Sequence, residues 1–195
     1  MIEYQSILNN IKQYVELTKE DEKQFVSIIR KTRLKKKQFI VQPSFVCTHQ
    51  TYVVKGTLRV YFIDNKGNEF TVSFAINDWF ATDHYSYFHQ IPATLYIEAL
   101  EDSHIFQMEY NKVEQLCRNN QKFERYFRLI AHKAFAYSQH RILSNLNKTA
   151  KERYIEFLEQ YPKISQKVPQ YALASYLGMS PEFLSKIRRN ISRKS

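Results

Sequence analysis

The sequence predicts an α+β fold: an antiparallel β-roll with short flanking helices, then a long helix, then a C-terminal helix-turn-helix. Three observations predict it. Between residues 38 and 108 the apolar residues fall in short runs rich in β-branched and aromatic side chains, separated by turn formers and by no helical repeat. After Tyr110 the apolar spacing changes to threes and fours and keeps that period. The charge changes at the same place, because residues 1–110 hold 12 Lys/Arg against 13 Asp/Glu, whereas residues 111–195 hold 17 against 6. A basic helical end on a near-neutral β body is the electrostatic footprint of a polyanion that contacts one end of a molecule.

Composition narrows the class. With 195 residues, 44% of them hydrophobic, the chain can build a real core. Its apolar runs fall short of a membrane span, and its start, MIEYQSILNNIKQYVEL, is acidic and amphipathic. Neither a membrane partner nor a signal peptide is expected, and the expected location is the cytoplasm. Cys47 and Cys117 lie far apart without CxxC spacing, as suits core thiols in a reducing compartment.

Taken in order, residues 2–16 and 18–30 read as two short helices. Thr18 with Asp21 forms a capping box at the start of the second. The basic run at 30–37 then reads as cations complementing the end of that helix. Strands are expected at 39–41, 51–54, 57–63, 70–76, 96–100 and 105–108. Gly56 separates two of them, and Asn65-Lys66-Gly67-Asn68 forms a hairpin turn. A long helix at about 123–145 carries Phe123, Phe127, Ile130, Ala134 and Tyr137 on one stripe, with Ile142 and Leu146 near its end. That seam is the expected dimer interface. Thr149 with Glu152 caps a further helix that ends at Tyr161-Pro162 and turns Tyr154, Ile155, Leu158 and Tyr161 inward. The expected division is a roll at 1–115, the long helix at 116–147 and a reading unit at 148–195.

The most informative stretch is QYALASYLGMSPEFLSKIRRN, residues 170–190. Pro169 suits a helix start, Gly178 suits the left-handed residue past a helix end, and Ser180-Pro181 is an N-cap followed by proline at the first helical position. Leu173, Ala174, Leu177, Met179, Leu184 and Ile187 would fill the angle between the two helices. The outward set is polar. Glu182, Ser185, Lys186 and Arg189 are the candidates facing base edges, Arg188, Arg193 and Lys194 the candidates for phosphate, and Ser180 a further DNA-binding candidate.

This order of parts resembles the Crp/Fnr family of bacterial transcription regulators, in which a cyclic-nucleotide-binding-like roll (a double-stranded β-helix) precedes a pairing helix and a helix-turn-helix. The resemblance is carried by VVKGTLRVYFIDNKGNEFTVSFA, IEALEDSHIFQM and, most specifically, YALASYLGMSPEFLSKIRR. It implies a homodimer that reads a palindromic operator in double-stranded DNA through helix 181–190, with RNA polymerase as a further partner. By position it implies base reading by Glu182, Ser185 and Lys186, with Pro181 where the family often has arginine. Only five residues follow Asn190, which leaves little or no β-wing in the expectation.

The ligand region departs from the family. A phosphodiester anion needs backbone N–H groups and a bidentate guanidinium. Here DWFATDHYSYFHQIPATLYIEA has neither glycine nor arginine, and Asp83 puts negative charge where an anion would sit. Cyclic AMP is therefore not the expected effector. Trp79, Thr82, Asp83, His84 and Thr94 are the candidate lining of any pocket, and a filled roll core is the competing account. No cofactor is expected. The alternative class is a small-molecule-binding or metal-dependent cupin-like enzyme with a structural helical tail. His49, His84, His89, His104, His132 and His140 show no His-x-His spacing, so neither an enzyme nor a metal site is expected.

Overall fold

The computed structural model describes residues 2–192. A 3-10 turn, Ile2–Tyr4, leads into α1 (Gln5–Lys12) and α2 (Lys19–Ser27). The α2 capping box is formed: the Thr18 hydroxyl oxygen accepts from Asp21 N–H, and the Asp21 carboxylate accepts from Thr18 N–H. Then comes the roll: β1 (Ile29–Leu34), β2 (Phe39–Val41), β3 (His49–Lys55), β4 (Leu58–Ile63), β5 (Glu69–Ala75), β6 (Phe80–Ala81), α3 (His84–His89), β7 (Tyr96–Ala99) and β8 (Ser103–Glu109). Two four-stranded antiparallel sheets, ordered β1-β8-β3-β6 and β2-β7-β4-β5, enclose the roll core of Leu34, Val53, Leu58, Val60, Ile97 and Ile105.

Local chemistry fixes the turns. The Asp64 carboxylate accepts from Lys66 N–H and Asn68 N–H, both at 2.8 Å, and Gly67 takes a positive φ of 83°, which closes the β4–β5 hairpin. At Gly56 the backbone has φ 121°, and a Cβ there would lie 2.1 Å from Ser103 Oγ. Only glycine lets β3 turn into β4 that close to β8.

The second helix is shorter than expected. It stops at Ser27; Arg30, Lys31 and Arg33 lie on β1, paired in register with β8 from Ile29↔Met108 to Leu34↔Ser103, and Lys35, Lys36 and Lys37 follow that strand. Their cations therefore do not complement a helix end. Instead Lys31 pairs with Glu3, and Lys35 with Asp102 at 2.9 Å.

After the roll, α4 (Tyr110–Asn119) gives way to α5 (Gln121–Asn147) at Asn120, whose side-chain oxygen accepts from Lys122 N–H at 3.1 Å. The boundary expected at residue 116 thus falls inside α4. Asp21 ties this junction to α2, accepting from Asn120 Nδ2 and Lys122 Nζ, each at 2.7 Å. These bonds, that from Lys122 foremost, hold its carboxyl well below the ordinary carboxylate range.

The two ends of α5 are supported differently. Phe123 and Tyr126 are fully buried against Phe25, and Phe127 and Ile130 pack part-buried on the same cluster with Ile7 and Ile11. Phe123 is therefore core of its own chain rather than dimer face, because α1 and α2 cover the stripe that carries it. Residues 131–140, with Ala134 and Tyr137 among them, are all exposed. A second stripe, about 100° round the helix, carries Ala131, Phe135, Ile142 and Leu146, the last three 65%, 58% and 78% exposed.

The remaining helices are α6 (Ala150–Gln160), α7 (Pro162–Lys167), α8 (Gln170–Tyr176) and α9 (Pro181–Ser192). Their core joins Tyr154, Phe157, Ile164, Ala172, Leu173, Ala174, Leu177, Leu184 and Ile187 to Phe74 and Leu100 of the roll. Ile155, expected inward, is exposed on α6. No described helix is long and apolar enough to cross a membrane.

Candidate nucleic-acid interface

The two C-terminal helices form as their local signals demand. Gly178 takes φ 66° after α8, and its neighbour Met179 returns N–H to Ala174 carbonyl oxygen at 3.0 Å, closing the helix end. Ser180 starts α9, its hydroxyl accepting from Phe183 N–H at 3.2 Å and its carbonyl from Leu184 N–H at 3.0 Å. Leu184 and Ile187 are buried against Leu173 and Leu177, which turns the opposite side of α9 to solvent.

The sequence candidates divide on this frame. Ser180, Glu182, Lys186 and Arg189 are exposed together on or beside the outward face. Glu182 is drawn to the helix start, where its own N–H and then the Ser180 hydroxyl hold its carboxyl below the usual range. Ser185 is only half exposed: its hydroxyl donates to the Pro181 carbonyl at 3.0 Å and accepts from Gln170 Nε2 at 2.5 Å. Arg188 folds inward, with Nε donating to the Tyr154 hydroxyl at 2.9 Å, so its guanidinium braces α9 on α6 instead of standing clear for phosphate. Arg193 and Lys194 lie outside the described residues.

Gln170 was not among those candidates. It donates both to Ser185 Oγ and to the Pro181 carbonyl at 2.9 Å, bridging the start of α8 to the first turn of α9. Nothing in its local sequence marks this, since the two ends meet only once the turn has formed.

The C-terminal helices are seated on the roll. Arg141 of α5 donates to the carbonyls of Val72, Thr71 and Tyr176, the last two at 2.9 and 3.1 Å, and lies 4.2 Å from the Tyr176 ring. Ser175 Oγ accepts from Thr71 N–H and donates to the Glu69 carbonyl, both at 2.8 Å. Below them Arg59 is fully buried, facing Tyr61 and Tyr171 and bonded to Thr71 Oγ1 at 2.9 Å and Glu69 at 2.5 Å. Burial there pushes the Tyr61 phenol up to about 12.

The candidate ligand residues do not converge. Trp79 stands at the joint with the reading unit, edge-on to Tyr161. His84 and Thr94 are exposed, while Thr82 is buried with its hydroxyl unpartnered. Asp83, 1% exposed, caps α3 through Ser86 N–H at 3.1 Å, and its other oxygen accepts from Thr94 and Leu95 N–H at 3.1 and 3.2 Å. A carboxylate of the chain itself thus fills the amide cradle of this loop. Among the described residues no three His, Cys, Asp or Glu side chains group to hold a metal ion.

Residues 31–120 match the family model of the cyclic nucleotide-binding domain. Over most of the chain the fold matches FixK2 from Bradyrhizobium japonicum, with a TM-score of 0.76, 16% identity and coverage of 86% of each chain. A putative Crp/Fnr-family transcriptional regulator from Eubacterium rectale shares the fold too, at a TM-score of 0.69 and 19% identity, covering 91% of this chain and 85% of that one. The c-di-GMP-responsive global regulator CLP of Xanthomonas campestris is similar at a TM-score of 0.74 and 11% identity, covering 91% of this chain and 93% of that one. CooA from Carboxydothermus hydrogenoformans, solved as a double mutant, is similar at 0.70 and 19%, covering 87% and 79%. No curated protein sequence shows significant similarity to the chain.

Proposed function

We propose that this chain is a DNA-binding transcription regulator that acts as a homodimer and reads a two-fold operator through α9. The observation that carries the reading is the outward side of that helix, where Glu182, Lys186 and Arg189 stand exposed on a helix locked at its start by Ser180 and Gln170. Long basic side chains beside a carboxylate suit the edges of guanine and cytosine in a major groove. The likeness to regulators of known structure supports the same conclusion. The exposed Ala131–Phe135–Ile142–Leu146 stripe, with Ala134 and Tyr137 beside it, supports pairing of two copies along α5.

Cyclic AMP is not its effector on this reading. The cradle that would hold a phosphodiester carries Asp83 instead, and a second anion there would meet like charge without a guanidinium to offset it.

The test is selection of duplexes from a random pool by the full chain, followed by anisotropy titrations at two salt concentrations. A selected site with two half-sites about 34 Å apart, and affinity that falls linearly on a log–log plot against salt, is the expected result. Failure to retain any duplex at low ionic strength would overturn the reading.

A further inference from the structure

The proposed reading of α9 as the groove-entering helix brings one further side chain into play. Successive residues of a helix lie about 100° apart, so with Leu184 and Ile187 pointing into the core, Glu182 and Lys186 point away from it and Phe183 stands on the flank beside them. Phe183 is 47% exposed. Among the described residues its ring belongs to no buried cluster and meets no other aromatic side chain. Its backbone is nonetheless fixed, because Phe183 N–H donates to the Ser180 hydroxyl. An aromatic ring with two rotatable bonds is thus presented at a defined place on the reading surface.

Two other polar groups of α9 are already engaged. Ser185 is held by Gln170 and by the Pro181 carbonyl, and the Glu182 carboxylate is drawn toward Ser180. An exposed phenyl is poorly matched to water and to phosphate. The one apolar group that base pairs present in the major groove is the C5-methyl of thymine, and phenylalanine is among the side chains that meet it.

We infer that Phe183 is a specificity-determining residue of this chain, packing its ring on a thymine methyl in each half-site. Phe183 then selects thymine by shape and apolar contact, alongside the hydrogen-bonding selection by Glu182 and Lys186. Burying one methyl corresponds to about fourfold in affinity per half-site.

The experiment uses the full chain and a duplex selected with it. Each thymine of that duplex is replaced in turn by uracil, which removes the methyl and leaves every hydrogen-bonding edge in place. One thymine per half-site is expected to lose about fourfold on replacement with the wild-type chain. With Phe183→Ala the thymine and uracil duplexes should bind alike, and Phe183→Leu should keep part of the preference. Because the comparison of duplexes is made with the wild-type chain, it does not depend on how the variants fold. Binding that ignores every thymine-to-uracil exchange, or that responds equally in wild type and Phe183→Ala, would overturn the Phe183 assignment while leaving the regulator reading intact. A chain that binds no duplex would overturn both.

Discussion

The indole of Trp79 meets the ring of Tyr161 edge-on, with centroids 5.6 Å apart. One residue belongs to the roll and the other to the end of α6, so the contact crosses the joint between roll and reading unit. Trp79 is the only tryptophan in the sequence. Its emission therefore reports how that joint is seated, with no competing indole.

Arg141→Ala should loosen this joint. Three carbonyls from β5 and α8 lose a shared cationic donor, and the Tyr176 ring loses its facing guanidinium. Urea unfolding should show a loss of about 2–4 kcal/mol, since hydrogen bonds to charged groups contribute about 1.5–3 kcal/mol each and do not add fully. A red shift of Trp79 emission before the main transition should accompany it.

Asp83→Ala removes the acceptor from the buried N–H of Ser86 and the part-buried N–H groups of Thr94 and Leu95. A loss of about 2–4 kcal/mol is expected by thermal or urea unfolding. Calorimetry with cyclic AMP should give no heat of binding for the wild-type chain.

Asp21 makes stability fall in acid. Its carboxyl is held below the ordinary range in the folded chain, so its contribution is complete above the ordinary carboxylate pKa of about 4 and is lost as pH falls through the lower folded value. Asp21→Asn should therefore be destabilised at neutral pH and should show a shallower decline below about pH 4. Urea midpoints measured from pH 7 down to about pH 3 would test the slope.

Gly56→Ala should cost at least about 3 kcal/mol. The added Cβ would fall 2.1 Å from Ser103 Oγ and 2.9 Å from Ser103 Cα on a residue with φ 121°. Strain and overlap act together there, and each alone costs about 1–3 kcal/mol. The paired variant Gly56→Ala with Ser103→Gly should recover only the part due to overlap.

Lys186→Ala should lose about 1–3 kcal/mol on a selected operator and relax the preference at one base pair of each half-site. Arg188→Ala should act differently, because Arg188 is bonded to Tyr154. Its loss should lower the unfolding midpoint and weaken operator and random DNA alike. Anisotropy on both duplexes separates the two behaviours.

How much of this was readable in the sequence depended on the range of the cause. The capping boxes at Thr18 and Thr149, the Gly178 turn and the Ser180-Pro181 start all formed because each is specified within four residues. Strand β1 escaped notice because Arg30, Lys31 and Arg33 interrupt its apolar alternation, and only pairing with β8 makes it a strand. The short helix α3 was hidden likewise in an aromatic run without a clear period. On α5 the sequence offered two apolar stripes, and which one is covered was decided by α1 and α2, distant in sequence from Phe123. Trp79 read as a pocket residue because its partner, Tyr161, lies in another unit of the chain.

The uncovered middle of α5 has a kinetic consequence. Ten residues of helix make a rod about 15 Å long, and on every side residues 131–140 are accessible. A second helix laid along it has no loop to displace and no strand to unzip. On the proposed pairing, encounter between copies is expected to be limited by orientation, at the roughly 10⁵–10⁷ M⁻¹s⁻¹ of rigid docking, rather than by any slow reshaping of the chain.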